Sequence, residues 1–442
     1  MQMNASLLGV LFAIAGCSSP STPPDAAASS PVDSGIDAFS TVDTGPRPDT
    51  GIDAATVMHA DAGSGISIGE WTDSPGTCPS GSTRVDITTV QQMEDASRGD
   101  AHADGTCFFV HDGTYTQRGG TLPLYSMVAG TAGHPVVWVG ESRGGVIIHG
   151  RATFEAAHVS ISNMTFDLTG YAQTGAFNTI TVLADDITIS HVTLTGDCMT
   201  GLQGGHIEVD EGHGPVTIDS CLVERFGQCH AVRPIGRLDH GIYLAAGHDI
   251  TITNNVVRGN SSRGIQLNTQ DGVFGTLTHV IITNNRIYEN GHADYEDGMV
   301  LNGNMAGGTT GTIDDVVVRH NLFYRNYYSG IRFSGNVTMN VIVSQNTFFH
   351  DGMASSGAGR SEINLDTGTP GLSVTANIFV PVRTVLNACA AGTTLTGNVA
   401  MGDAAGSCIS STVSADPMFT NAASDDYTTT NPAVASYGAY AH

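Results

Sequence analysis

From residue 159 to residue 398 the chain repeats one short pattern: apolar residues at alternate positions, a polar bend, then two more apolar residues. It reads Ile250-Thr-Ile-Thr-Asn-Asn255-Val-Val, Ile281-Ile-Thr-Asn-Asn285-Arg-Ile, Val316-Val-Val-Arg-His-Asn321-Leu-Phe, Val341-Ile-Val-Ser-Gln-Asn346-Thr-Phe and Leu372-Ser-Val-Thr-Ala-Asn377-Ile-Phe. Further copies bend at Asn163, His191, Ser220 and Asn398. Alternation with period two predicts strands, because successive side chains in a strand point to opposite faces. The bends recur every 21 to 36 residues, a spacing that predicts a solenoid whose turns bury a shared core. A recurrent asparagine fits a stack in which side-chain amides hydrogen-bond along the axis.

A second strand precedes several bends: Gly241-Ile-Tyr-Leu, Gly264-Ile-Gln-Leu, Gly298-Met-Val-Leu, Gly330-Ile-Arg-Phe and Glu362-Ile-Asn-Leu, with Ile207-Glu-Val earlier. One turn is therefore strand, strand, bend and short third strand. This organisation resembles the right-handed parallel β-helix of the pectate lyase superfamily over roughly residues 120 to 410. The segment Val85 to Tyr115 resembles that family's capping helix and first strand, and a cap is needed because an open coil end leaves strand edges unpaired. The expected fold is all-β: a cap over 67–120, a right-handed parallel β-helix over 121–412, and a C-terminal tail or cap over 413–442.

The N-terminal region is different in kind. Leu7 to Gly16 is an apolar run of ten residues, short of the roughly 20 that a helical membrane span needs. It ends in Ile14-Ala15-Gly16-Cys17, which resembles a bacterial lipobox and implies acylation of Cys17 after export, with residues 1–17 as lipoprotein signal and anchor point. Residues 18–66 are mostly Ala, Ser, Pro, Thr, Gly and Asp, a composition that cannot offset chain entropy by burial and predicts a disordered spacer. The expected location is lipid-anchored at the outer membrane or cell surface.

Charge and cysteine content narrow the chemistry. The formal net charge is −25, which argues against a nucleic-acid partner. All 17 basic residues are arginine, so no lysine base, Schiff base or phosphate-loop lysine is available. Five of the arginines, Arg225, Arg233, Arg237, Arg258 and Arg263, fall close together in sequence and suggest a surface for an anionic sugar. Of the eight cysteines, Cys78 with Cys107 and Cys389 with Cys408 form compact candidate disulfides. Among Cys198, Cys221 and Cys229, either two form a third bridge or the three hold zinc.

Residues that lengthen individual turns fall on either side of the Gly-Ile-x-Leu strand, which predicts a cleft along that sheet. If Ile242 and Leu244 point inward, then Glu208, Tyr243, Gln266, Val300, Arg332 and Asn364 form one outward column. His206, Asp210, Asn268, Asn302 and Asp366 flank it, and His240, Arg263 and Asp297 stand at the preceding bend. The resemblance implies a polysaccharide groove at this sheet. The expected activity is a lyase that cleaves a uronate-containing glycan by β-elimination. His240 serves as base, Tyr243 as acid, and Arg263, or a Ca²⁺ ion held by Asp210 and Asp297, neutralises the carboxylate. His206, Glu208, Gln266, Asn268, Asn302 and Arg332 are the expected substrate contacts, an acidic polysaccharide the partner, and a monomer the assembly. Two alternatives stand beside it: a glycoside hydrolase using two of Glu208, Asp210, Asp239 and Asp297, and a glycan-binding or adhesive rod without turnover. Gly212-His213-Gly214 resembles one element of polygalacturonase-like hydrolases, but the acidic set and final lysine of that pattern are missing.

Overall fold

The computed structural model describes residues 68–69, 74–99, 105–169, 178–196, 204–209, 212–226, 239–269, 275–291, 296–303, 311–335, 338–354, 360–366, 369, 371–390, 392–402 and 408–441. Parallel strands stack into three long sheets, of thirteen, nine and twelve strands among the described residues. A complete turn of the coil contributes one strand to each, as Val216–Asp219, Leu222–Glu224 and Asp239–Leu244 do in turn. The architecture is a right-handed parallel β-helix.

Its core follows from period-two patterning repeated in register. Val159, Ile187, Val216, Ile250, Val280, Val316 and Val341 pair rung to rung in the thirteen-stranded sheet and are at most 1% exposed. Each such side chain contributes about 1.5–3 kcal/mol through burial. In the twelve-stranded sheet Phe323, Phe348 and Phe379 stack with ring centroids 5.0 and 4.9 Å apart. The N-terminal end is closed by the helix Val90–Arg98, begun by a Thr89–Gln92 capping box, with Met93 packed fully buried on the coil.

The tight corner between the thirteen- and twelve-stranded sheets carries the expected ladder. A residue in the left-handed region, such as Asn254 or Asn284, turns the chain, and the next residue points inward. Asn285 Oδ1 accepts from the backbone and side-chain nitrogens of Asn255, and Asn285 Nδ2 donates to Asn321 Oδ1 and to the carbonyls of Ile252 and Thr283, all at 2.9 Å. The same pattern links Asn321, Asn346, Asn377 and Asn398. Each buried amide is thereby satisfied, which burial requires.

The earlier bends correct the sequence register by one residue. Asn163, His191 and Ser220 occupy the left-handed position, and the inward positions of those rungs are Met164, Val192 and Cys221, all fully buried. Cys221 is the first member of the ladder. Its N–H donates to Asn255 Oδ1 at 2.8 Å, and its thiol faces the carbonyls of Asp219 and Ile189 at 3.2 and 3.7 Å, where later rungs place an amide nitrogen. A thiol so placed is neither a disulfide partner nor a zinc ligand, and burial pushes it up to about 12. Cys198 and Cys229 lie outside the described residues. Disulfides join Cys78 to Cys107 and Cys389 to Cys408, as expected.

Both ends of the described chain lie on the outer face of the twelve-stranded sheet. Ile68 is buried there beside Val256 and Tyr288, and its carbonyl accepts from Arg286 Nε. After the strand Val413–Ser414 the C-terminal segment runs back over the same face, packing Tyr427 against Tyr324 with the rings tilted by 48° and bonding the Ala439 carbonyl to His320. No described helix is long and apolar enough to cross a membrane.

Candidate functional site on the nine-stranded sheet

The nine-stranded sheet turns Ile242, Leu244, Ile265, Leu267, Leu301, Ile331 and Phe333 into the core, all fully buried. The rungs of its outward column are in the expected register. Glu208 pairs with Tyr243, Tyr243 with Gln266, Gln266 with Val300, Val300 with Arg332 and Arg332 with Asn364. Two positions along, Asn268, Asn302 and Ser334 are in register. One position before the glycines stand His240, Arg263, Asp297 and Ser329 on successive rungs.

These residues form two linked groups. At one end the rings of His240 and Tyr243 lie 5.8 Å apart and 18° from parallel. Tyr243 Oη accepts from Asn268 Nδ2 at 2.6 Å, and Asn268 Oδ1 accepts from Asn302 Nδ2 at 2.8 Å. Arg263, on the rung after His240, donates to Gln266 Oε1 at 3.0 Å and pairs with Glu296 at 2.7 Å. At the other end Arg332 donates through Nε to Asp366 Oδ2 at 2.8 Å, faces Asp297 at 3.8 Å, and lies over the Tyr328 ring at 5.7 Å.

Burial decides the protonation of this face. Asp297 is fully buried, which pushes its carboxyl up to about 7; neighbouring Glu296 adds to the rise, while Arg332, the Ser329 hydroxyl and Arg263 oppose it. Arg332 is itself partly desolvated, but Asp297 and Asp366 more than compensate and hold its proton more tightly than usual. Burial also raises the Tyr328 hydroxyl.

The face is polar as expected, yet it is closed in the middle. Gln266, Asn268, Val300 and Asn302 are at most 7% exposed, as are His240 and Asp297. Tyr243, Tyr328 and Arg332 keep partial exposure at the two ends. The expected arginine patch is divided. Arg258 bonds Glu224 and Tyr288 beside the twelve-stranded sheet, Arg263 belongs to the nine-stranded sheet, and Arg233 and Arg237 lie outside the described residues. So does Asp210, and the side chains of His206 and Glu208 are likewise outside the description. Asp239, a candidate hydrolase carboxylate, is 2% exposed and accepts from Ser261 Oγ at 3.4 Å.

Of the two expected calcium ligands, Asp297 is among the described residues and Asp210 is not. Ca²⁺ takes six to eight oxygen ligands, whereas Asp297 faces a serine hydroxyl and a guanidinium. Among the described residues no group of three or more His, Cys, Asp or Glu side chains is arranged to hold a metal ion.

Sequence reasoning missed Glu296, Tyr328 and Ser329. All three lie one or two residues before the glycine of a Gly-Met-x-Leu or Gly-Ile-x-Phe strand, the same place that marked His240 and Arg263, so the signal was position rather than residue type.

A family model described as right handed beta helix region matches residues 140–288 and 235–379, more than half the chain. The chain belongs to this right-handed β-helix family. Solved β-helix structures are similar at low identity. An alginate lyase from Paenibacillus sp. str. FPU-7 is 13% identical with a TM-score of 0.48, covering 74% of this chain and 99% of its own. The pectate lyase Pel9A is 14% identical with a TM-score of 0.49, covering 78% and 85%. The Dettilon tailspike protein is 15% identical with a TM-score of 0.49, covering 76% and 60%. No curated protein matches the sequence.

Proposed function

We propose that this β-helix acts on an anionic polysaccharide and cleaves a uronate-containing chain by β-elimination. The observation that carries the reading is the stacked pair of His240 and Tyr243 with Arg263 one rung away. Elimination removes the proton at C5, breaks the C4–O bond, forms a C4–C5 double bond and returns a proton to the leaving oxygen. His240 takes the first proton and Tyr243 supplies the second. Arg263 neutralises the carboxylate, releasing Glu296 in exchange for the substrate's own carboxylate. Arg332, paired with Asp366 in the same manner, binds a second uronate about 10 Å further along, two rungs of about 4.8 Å.

Two disulfides suit an oxidising compartment. We place the protein outside the cytoplasm, tethered through an acyl chain on Cys17. Cys17→Ser should move it from the membrane to the soluble fraction; retention with the signal removed refutes the anchor.

The activity is tested by incubating the Cys17→Ser protein with acidic polysaccharides and following absorbance near about 235 nm, where the conjugated unsaturated uronate absorbs. New reducing ends without that absorbance indicate hydrolysis instead. The closed centre of the face favours one second reading, a glycan-binding rod, for which binding without either product is the outcome.

A further inference from the structure

A second asparagine column runs along the corner between the twelve- and nine-stranded sheets. Asn260 Nδ2 donates to Asn290 Oδ1 at 3.0 Å, Asn290 Nδ2 to Asn326 Oδ1 at 3.2 Å, and Asn326 Nδ2 and N–H to Asp351 Oδ1 at 2.8 Å. Beside it runs a column of glycines, Gly241, Gly264, Gly298 and Gly330. A Cβ on Gly264 or Gly298 would fall 2.8 or 2.6 Å from the Nδ2 of Asn290 or Asn326, and one on Gly330 would fall 2.8 Å from Asp351 Oδ2. The fifth rung breaks both patterns at once. Its ladder residue is Asp351, and its glycine position, one residue after Ser361 in register with Ser329, is Glu362.

These two carboxyl groups meet inside the protein. Glu362 is fully buried and Asp351 is 1% exposed, and they hydrogen-bond to each other. Among the described residues no side-chain amide, hydroxyl or cation bonds Asp351 Oδ2 or either Glu362 carboxyl oxygen, and the nearby Asp351 backbone N–H offsets only part of the cost of burying the Glu362 carboxyl. The charged and titratable groups around the pair do not neutralise it. Arg325 is held by Asp425 at 2.8 Å and Glu289 at 3.1 Å, the Arg360 guanidinium bonds the Ala354 carbonyl, His350 stacks on Phe349, and Tyr427 approaches from the C-terminal segment. Two ionised carboxylates in contact without a cation are strongly disfavoured in such surroundings.

We propose that Asp351 and Glu362 share one proton and act as a pH-sensitive latch that holds the strand Ser361–Leu365 onto the nine-stranded sheet. Glu362 donates, Asp351 accepts, and the ladder ends on an uncharged pair of acids. Loss of the proton leaves two buried anions and repels that strand. The strand carries Asn364 and leads to Asp366, the partner of Arg332. The latch therefore sets the order of one end of the polar face, whether or not that face is catalytic.

The sign follows from linkage. Burial raises Asp351 to about 7, and burial with the repulsion of Asp351 raises Glu362 well above the usual range. Groups with raised folded values contribute stability that is whole below the ordinary carboxyl range and is lost as pH rises through the folded value.

Thermal unfolding and hydrogen exchange of the full chain between pH 5.5 and 8.5 test this. The unmodified protein should lose about 3 °C or more in midpoint across that range, with exchange rising first in peptides covering 361–366. Glu362→Gln should flatten this dependence, as should Glu362→Gly, which restores the residue of the four preceding rungs and serves if the glutamine variant does not fold. Parallel pH profiles in the unmodified and variant proteins overturn the proposal. So does a Ca²⁺-dependent rise in midpoint at pH 8 that Glu362→Gln abolishes, because the pair would then hold a cation instead of a proton.

Discussion

Asn255, Asn285, Asn321, Asn346, Asn377 and Asn398 form a column of six amides at one corner of the coil, while Asn260, Asn290 and Asn326 form three at the next and meet Asp351. At the first corner the following strand starts at once: Val256 succeeds Asn255 and Leu322 succeeds Asn321. At the second, between four and eleven residues separate the ladder residue from the column headed by Gly264, Gly298, Gly330 and Glu362. A corner with no slack carries only structure, because any added residue would shift the inward set of the next strand to the outer face. A corner that tolerates insertions can present His240, Arg263 and Asp297 to the same sheet without disturbing the core.

The sharpest way to break the comparison is to remove one amide from the uninterrupted column. Asn321→Ala deprives Asn285 of the acceptor for both its N–H and its side chain and leaves the Ile282 carbonyl without its amide donor. At about 1–3 kcal/mol per unsatisfied buried group, the loss should reach about 3–5 kcal/mol in denaturant unfolding. A loss below about 1 kcal/mol would mean that the column is ornament.

The polar residues after the second corner should respond in activity. His240→Ala and Tyr243→Phe should each lower elimination about 100-fold, equivalent to about 2.7 kcal/mol, with the melting profile kept. Full turnover in both folded variants moves the chemistry toward Asp297 and Arg332.

Gly298→Ala tests why the second column needs glycine. Its Cβ would meet Asn326 Nδ2 at 2.6 Å and the Gly330 carbonyl at 2.8 Å, whereas nothing lies within 4 Å of a Cβ on Gly144. A cost of about 1–3 kcal/mol is expected for Gly298→Ala against little change for Gly144→Ala; equal effects would refute the packing account.

The smallest effect is expected at the start of the first column. Cys221→Val, which copies Val192, should cost less than about 1 kcal/mol, since thiol hydrogen bonds are weak. The native thiol should resist alkylation until the coil unfolds, being fully buried and pushed up to about 12. Rapid labelling of the folded protein would place Cys221 elsewhere.

The parallel coil, its inward residues, two disulfides and the outward column from Tyr243 to Asn364 were legible in the sequence, because period-two alternation repeated at rung spacing leaves one register that buries the alternate Ile, Val, Leu and Phe of each strand. The second ladder was equally legible but went unread: Asn260, Asn290, Asn326 and Asp351 each follow a first-column asparagine by five residues. What tertiary structure alone decided is which polar groups meet. Arg258 and Arg263 are near in sequence yet belong to different sheets, and Glu296 reaches Arg263 across a rung. Cys221 resembles a spare thiol until its rung places it under Asn255. Alternation fixes whether a side chain faces in or out, while ionisation and pairing depend on the neighbouring rungs, whose offset is set by bends of unequal length. Asp351 and Glu362 show this directly: eleven residues apart and unremarkable in sequence, they become a proton-sharing pair only when the coil closes around them.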